Sequence, residues 1–218
     1  MTGVALVLSN MIRLPKELAK PKHKSKKGWH ISQFIEKRSL PWALMGLFIG
    51  FTYSGVLVFI PIELNSIGAV WGSVFFALFA LMIIISRPLV GKIYARYGSR
   101  FVIYPGIILF IMGLAILGIA DTPVGIIGTA PLLGLGYGAA QPAFQALAVQ
   151  SAPIERAGVS TATYFLALDI AVGAGSIILA MIANALGYQY LYQITAIIMV
   201  VALGLYHYII KGYSNFEV

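Results

Sequence analysis

Six long apolar runs follow one another along the chain, and polar residues are largely confined to the short gaps between them. An α-helix needs roughly 20 apolar residues to cross a bilayer. The pattern therefore predicts spans over residues 41–62, 69–89, 101–120, 124–149, 158–183 and 190–210. Pro131 and Pro142 lie inside the fourth run and are expected to kink it rather than end it, because neighbouring helices can satisfy the freed backbone groups. Residues 1–12 are apolar but too short to span, and read as the end of a preceding helix. From residue 13 the composition flips to nine Lys or Arg against Glu17 and Glu36, with Pro15 and Pro21 opposing a continuous helix. This predicts a basic linker over 13–40, a membrane domain over 41–211 and a short tail over 212–218. Trp29, Ile31, Phe34 and Ile35 are spaced as a short amphipathic helix lying at the interface would space them; a plain linker is the alternative.

Composition supports the same picture. Hydrophobic residues form 60% of the 218-residue chain and charged residues 10%, against about half and a quarter in soluble domains. The chain holds no cysteine, which excludes disulfides, thiolate metal sites and thiol catalysis. A net charge of +8 suggests nucleic acid in a soluble protein, but here the position of the charges decides. Nine of the fifteen Lys and Arg precede the first run; Arg87, Lys92, Arg96 and Arg100 lie around the second gap, Arg156 in the fourth, and Lys211 follows the sixth. The alternate gaps carry only Glu63, only Asp121 and no charge. Cytoplasmic loops gather Lys and Arg, so the expectation is a six-span protein of the cell membrane with both termini cytoplasmic.

Few polar groups interrupt the runs, and these are the candidates for chemistry. Asp169 stands mid-span, where a charge costs roughly 2.5–3.5 kcal/mol on insertion scales; it is a candidate proton carrier or else a packing residue. Tyr137, Gln141 and Gln145 recur every four residues, so they share one helix face. An aromatic and amide stripe suits a wall that holds varied solutes, and also suits interhelical hydrogen bonds. Tyr53, between Thr52 and Ser54, interrupts the first run near its midpoint. Gly134, Gly136 and Gly138 lack the strand that a dinucleotide loop requires, so they predict close helix packing, as do Gly173 and Gly175. Glu63 reads as a charge at the external mouth, and His23, His30 and His207 form no cluster. No nucleophile with a base, metal cluster or phosphate loop is visible. The expectation is a membrane protein without cofactors, not an enzyme.

The stretch 87–100 resembles the signature loop of the major facilitator superfamily: Gly91, Arg96, Gly98 and Arg100 match. Ala95 stands where the acid would be and Ser99 replaces one basic residue, as in the degenerate copy between spans eight and nine. Pro153, Arg156, Gly158, Ser160, Thr161 and Ala162 look like the loop before span eleven, and residues 169–175 resemble span eleven of the drug:proton antiporters. The resemblance covers essentially the whole chain. It implies an all-α membrane fold of two inverted three-helix repeats, the second half (spans seven to twelve) of a proton-coupled exporter of small organic solutes working by alternating access. It further implies a first six-helix half outside this chain, a central pathway lined by spans seven and ten so that Tyr53 joins Tyr137, Gln141 and Gln145 in the candidate substrate cavity, and a gating loop comprising Arg87, Gly91, Arg96, Gly98, Arg100 and Arg156. Physically, Gly91 and Gly98 permit a tight turn while Arg96 and Arg100 can bond helix-terminal carbonyls or lipid phosphates; a basic anchor that sets topology is the simpler reading. The rival functional expectation is a truncated or split fragment without transport activity alone, acting only as a pairing subunit or remnant.

Overall fold

The computed structural model describes residues 34–65 and 68–214; the expectations for residues 1–12 and for most of the basic linker fall outside them. Six helices account for nearly all described residues: α1 (Leu40–Asn65), α2 (Ala69–Tyr97), α3 (Arg100–Leu117), α4 (Pro123–Gln150), α5 (Ala157–Leu186) and α6 (Tyr188–Ser214). Among the described residues there is no strand. All six are long and apolar enough to cross a membrane. α4 runs unbroken through Pro131 and Pro142.

Five of the six expected spans end within a few residues of the observed helices. The second does not, and this corrects the expected loop. α2 continues eight residues beyond position 89 to Tyr97, so Arg87, Gly91, Lys92 and Arg96 are helical and the turn consists of Gly98 and Ser99, with Arg100 opening α3. A helix of 29 residues is about 43 Å long at about 1.5 Å per residue, well beyond the ~30 Å hydrocarbon core. The helix is thus longer than a span requires, and Lys and Arg, which are good helix formers, continue it beyond the apolar run. What ends the helix is Gly98, at φ 86°, a left-handed conformation that glycine adopts without steric cost. Its N–H donates to the Tyr94 carbonyl at 3.0 Å.

α5 ends the same way, at Gly187 with φ 94° and its N–H bonded to the Ala183 carbonyl. The matching turns are part of an internal repeat. α1 packs on α5 and α4 on α2; α3 packs on α4 and α6 on α1; α1 and α4 also touch each other. Exchanging α1–α3 with α4–α6 maps these pairings onto themselves. Since each triplet has an odd number of spans, the second must enter from the opposite face, which makes the two repeats inverted.

Lipid tails are as apolar as leucine, so helices in a membrane associate through close packing at small residues. A Cβ on Gly134 would lie 2.6 Å from the Phe79 carbonyl oxygen, and one on Gly138 would strike the Ser86 side chain, so these two glycines seat α2 against α4. A Cβ on Gly136, between them, would lie 2.6 Å from the Phe110 amide nitrogen of α3. Gly50 and Gly175 do the same between α1 and α5, against Leu168 and Ser54. Gly173, expected to pack likewise, has nothing within 4 Å; on α5 it points away from every neighbour. α2 and α5 are the least covered helices, 17% and 22% buried over their apolar windows against 61% for α1.

Candidate functional site

The centre of the bundle is an aromatic stack. Tyr53, near the middle of α1, and Tyr137, near the middle of α4, lie ring on ring with centroids 4.2 Å apart and planes 17° apart. Phe79 of α2 stacks on Tyr53 at 6.2 Å, and Phe110 of α3 lies 6.2 Å from Tyr137. Offset stacked pairs of this kind hold large flat surfaces at little conformational cost. Both tyrosines remain half-buried. One residue beyond Tyr137, Gly138 receives Ser86 and Ile83 of α2, and this close approach brings α2 up to the stack.

The other expected wall residues sort by depth on α4. Gln141 is 7% exposed, and its backbone carbonyl accepts from the buried Tyr164 hydroxyl of α5 at 3.0 Å. Gln145, one turn on, is half-buried. Asp169 is exposed on α5. Its neighbour Leu168 packs on Gly50 of α1, three residues before Tyr53. Phe79 and Phe110 were invisible as site residues in the sequence, because a phenylalanine in an apolar run carries no periodic signal; only the crossing of four helices selects them.

The expected gating residues are not gathered in one place. Gly91 and Gly98 have no neighbour that a Cβ would meet. Arg96 is exposed and lies 5.2 Å over the ring of Tyr97, and Arg100 is exposed at the start of α3. Arg156, by contrast, is tied down at the basic end of the bundle. Its Nε lies 2.5 Å from Oε2 of Glu36, and its Nη2 donates to the Ile35 carbonyl at 3.3 Å. Glu36 is 6% exposed; its backbone N–H donates to the Thr163 hydroxyl at 3.0 Å and its Oε1 accepts from the Arg38 amide. Beside it the hydroxyls of Ser39, Ser151 and Ser160 all donate to the Ala148 carbonyl, at 2.9, 2.7 and 2.6 Å. Glu36 was the partner that sequence reasoning passed over. Nothing in its local sequence distinguishes it from the other linker charges.

The opposite end is held by acids. Glu63 is half-buried rather than a free mouth charge and accepts from the Tyr192 hydroxyl at 3.0 Å. Gln189 donates to Asp121, and Gln193 donates to the Gly118 carbonyl at 3.0 Å. Each acid thereby fastens the start of α6 to another helix end. Back at the basic end, the Tyr104 hydroxyl and His207 Nδ1 are hydrogen-bonded at 2.7 Å between the start of α3 and the last turns of α6. No group of three or more His, Cys, Asp or Glu that could hold a metal is found among the described residues.

Two inverted triplets of spans, with an aromatic stack between their first helices, make an all-helical fold consistent with half of a facilitator-type fold, and the class is a membrane transporter rather than an enzyme. The family model of the Major Facilitator Superfamily matches residues 1–176, and the chain belongs to that superfamily. Its fold is similar to the crystal structure of a POT family transporter in complex with a thioalcohol-conjugated peptide, with a TM-score of 0.65 over 81% of this chain at 17% identity. The chain spans 40% of the length of that transporter. No curated protein matches the sequence.

Proposed function

We propose that this chain is the second half of a secondary active transporter that exports small organic solutes in exchange for protons by alternating access. The carrying observation is the Tyr53–Tyr137 stack, a flat aromatic surface at mid-depth between the first helices of the two repeats. Such a surface suits varied, partly apolar solutes. Asp169, a carboxylate on the weakly covered α5, is proposed as the group that exchanges a proton for solute. The basic end is proposed to be cytoplasmic in a plasma-membrane protein, following the segregation of Lys and Arg. Alternating access requires two bodies rocking about a shared site. The low burial of α2 and α5, together with the 40% coverage of a whole transporter, supports a first six-helix half as the partner on those faces. The same two observations favour a second reading, in which the chain has no transport activity until that half is present.

The test is reconstitution in liposomes with an imposed proton gradient, following efflux of a dye panel with and without a co-expressed first half. Gradient-driven efflux only with both halves is the expected result. Equal efflux in the two preparations overturns the half-transporter reading. Asp169→Asn should abolish the coupling to protons with expression unchanged; unaltered coupling assigns Asp169 to packing.

A further inference from the structure

α3 is the shortest of the six spans. Its 18 residues make about 27 Å at about 1.5 Å per residue, no more than the ~30 Å hydrocarbon core, so its first residue, Arg100, stands at the edge of the core, where lipid phosphates lie. α6 runs antiparallel beside it, and the bond between the Tyr104 hydroxyl and His207 Nδ1 joins the two helices at 2.7 Å. This contact fixes their register. Arg100 precedes Tyr104 by four residues and Lys211 follows His207 by four, so both cations lie one turn beyond the bond, on the helix faces that carry it. With helix axes packed about 8–10 Å apart, Arg100, His207 and Lys211 border one spot at the mouth of the α3–α6 seam. All three are exposed.

The platform under that spot is held by the core. The Tyr104 ring meets the fully buried Tyr206 edge to face at 5.1 Å, and Tyr206 packs in turn on Phe144 at 5.5 Å and Trp42 at 6.5 Å. Tyr104 thus holds the imidazole through Nδ1, which leaves Nε2 as the ring nitrogen directed away from it. When the tyrosine hydroxyl donates to Nδ1, the ring proton resides on Nε2 and is offered outward.

Charge and surface decide what settles there. Arg100 opens α3, where the helix dipole disfavours a cation and favours an anion, so a bound anion suits both. The basic linker of this chain, with nine Lys and Arg, has the wrong sign to cover the spot. Deeper in the bilayer, Ile108 and Met112 of α3 and Val200 and Val201 of α6 are exposed. Gly204, one turn below His207, has nothing within 4 Å of where a Cβ would stand. An apolar track therefore leads into the bilayer from a cationic mouth, which is the layout of a phospholipid. It lies on α3 and α6, which pack on α4, on α1 and on each other, and not on α2 and α5, the helices proposed to meet the first half.

We propose that the α3–α6 seam at the basic end holds one anionic phospholipid of that leaflet, its phosphate bound by the Arg100 guanidinium and His207 Nε2 with Lys211 beside them, and its acyl chains on the track over Gly204. Arg100 supplies the charge and the paired donors that match a phosphate. His207 supplies a directed donor, and Tyr104 positions it without touching the lipid. A phosphocholine lipid carries the same phosphate but adds a quaternary ammonium group that Arg100 and Lys211 repel, so the site prefers a headgroup of net negative charge. Because α3 and α6 are the last helices of the two repeats, the bound lipid joins both repeats at one leaflet.

The test is native mass spectrometry of the whole chain released from detergent micelles that hold equal amounts of dioleoyl phosphatidylglycerol and dioleoyl phosphatidylcholine. The first lipid retained should be phosphatidylglycerol by about fivefold, the order expected of one exposed charge pair. Arg100→Gln, His207→Phe and Tyr104→Phe should each bring that preference close to parity. Arg96→Gln, which removes an equal charge from the exposed end of α2, should leave it unchanged. Tyr104→Phe is the decisive variant, since it alters neither charge nor ring packing. Arg100→Gln and His207→Phe change exposed side chains, so they test the site even where Tyr104→Phe lowers the unfolding midpoint. Absence of any preference in the unaltered chain overturns the site. So does equal loss in Arg96→Gln and Arg100→Gln with none in Tyr104→Phe, which is the behaviour of a diffuse basic surface. Displacement of the lipid by soluble glycerol 1-phosphate at the same concentration overturns the lipid as occupant, and a preference that rises in Glu217→Gln gives the spot to the chain's own acidic tail.

Discussion

Glu36 and Arg156, 120 positions apart in sequence, form an ion pair at 2.5 Å that fastens the segment before α1 to the connection between α4 and α5. The carboxylate is almost fully buried, whereas a third of the Arg156 side chain is exposed. Removing one partner of a buried pair costs about 3–5 kcal/mol because the other charge is left unmatched; the partial exposure of Arg156 places this pair at the low end. Arg156→Ala should therefore lower the unfolding midpoint in detergent more than Glu36→Gln, since only the former leaves a buried charge. The double variant should lose less than the sum of the two.

The glycines of α4 and α5 offer a paired comparison. Gly134→Ala places a methyl group 2.6 Å from the Phe79 carbonyl oxygen and 2.8 Å from the Met82 Cβ, forcing α2 and α4 apart at a cost of about 1–3 kcal/mol. Gly173→Ala meets nothing within 4 Å and should be neutral or stabilising by up to about 1 kcal/mol, the difference in helix propensity. Unfolding in graded denaturing detergent distinguishes the two.

For the aromatic stack, Tyr53→Phe keeps the ring and should preserve both stability and solute binding. Tyr53→Ala and Tyr137→Ala should each weaken both, with a coupling of about 0.5–1.5 kcal/mol between them in a double-mutant cycle. Zero coupling would mean that the rings act independently of their contact.

Sidedness can be read directly, because the chain has no cysteine. Asp121→Cys should be labelled by an impermeant maleimide added to intact cells. Glu155→Cys, exposed at the basic end, should be labelled only after permeabilisation. Reversal of this pattern would invert the proposed orientation.

Hydrophobic run length made the helices legible from sequence, since the bilayer imposes nearly the same minimum on every span. That is why five spans were delimited closely and the second was not. Its end is set by Gly98, and the preceding cations, polar by any hydropathy measure, remain good helix formers. Tyr53 and Tyr137 were legible as interruptions of apolar runs. Phe79, Phe110 and the Glu36–Arg156 pair were not, because each depends on helices that meet only in three dimensions.

The order of apolar and basic residues by itself determined six spans, their alternation and the segregation of charge to one end. These follow from the cost of placing polar groups in hydrocarbon, which is paid locally along the chain. Only the tertiary structure decided which helices touch: Gly134 and Gly138 bring α2 to α4, and Tyr53 meets Tyr137 at 4.2 Å. It also carried Gly91, Lys92 and Arg96 from a supposed loop onto the helix that ends at Tyr97. Contact between helices is set by small residues and shape rather than by hydropathy, so it is written in positions that a hydrophobic pattern does not mark.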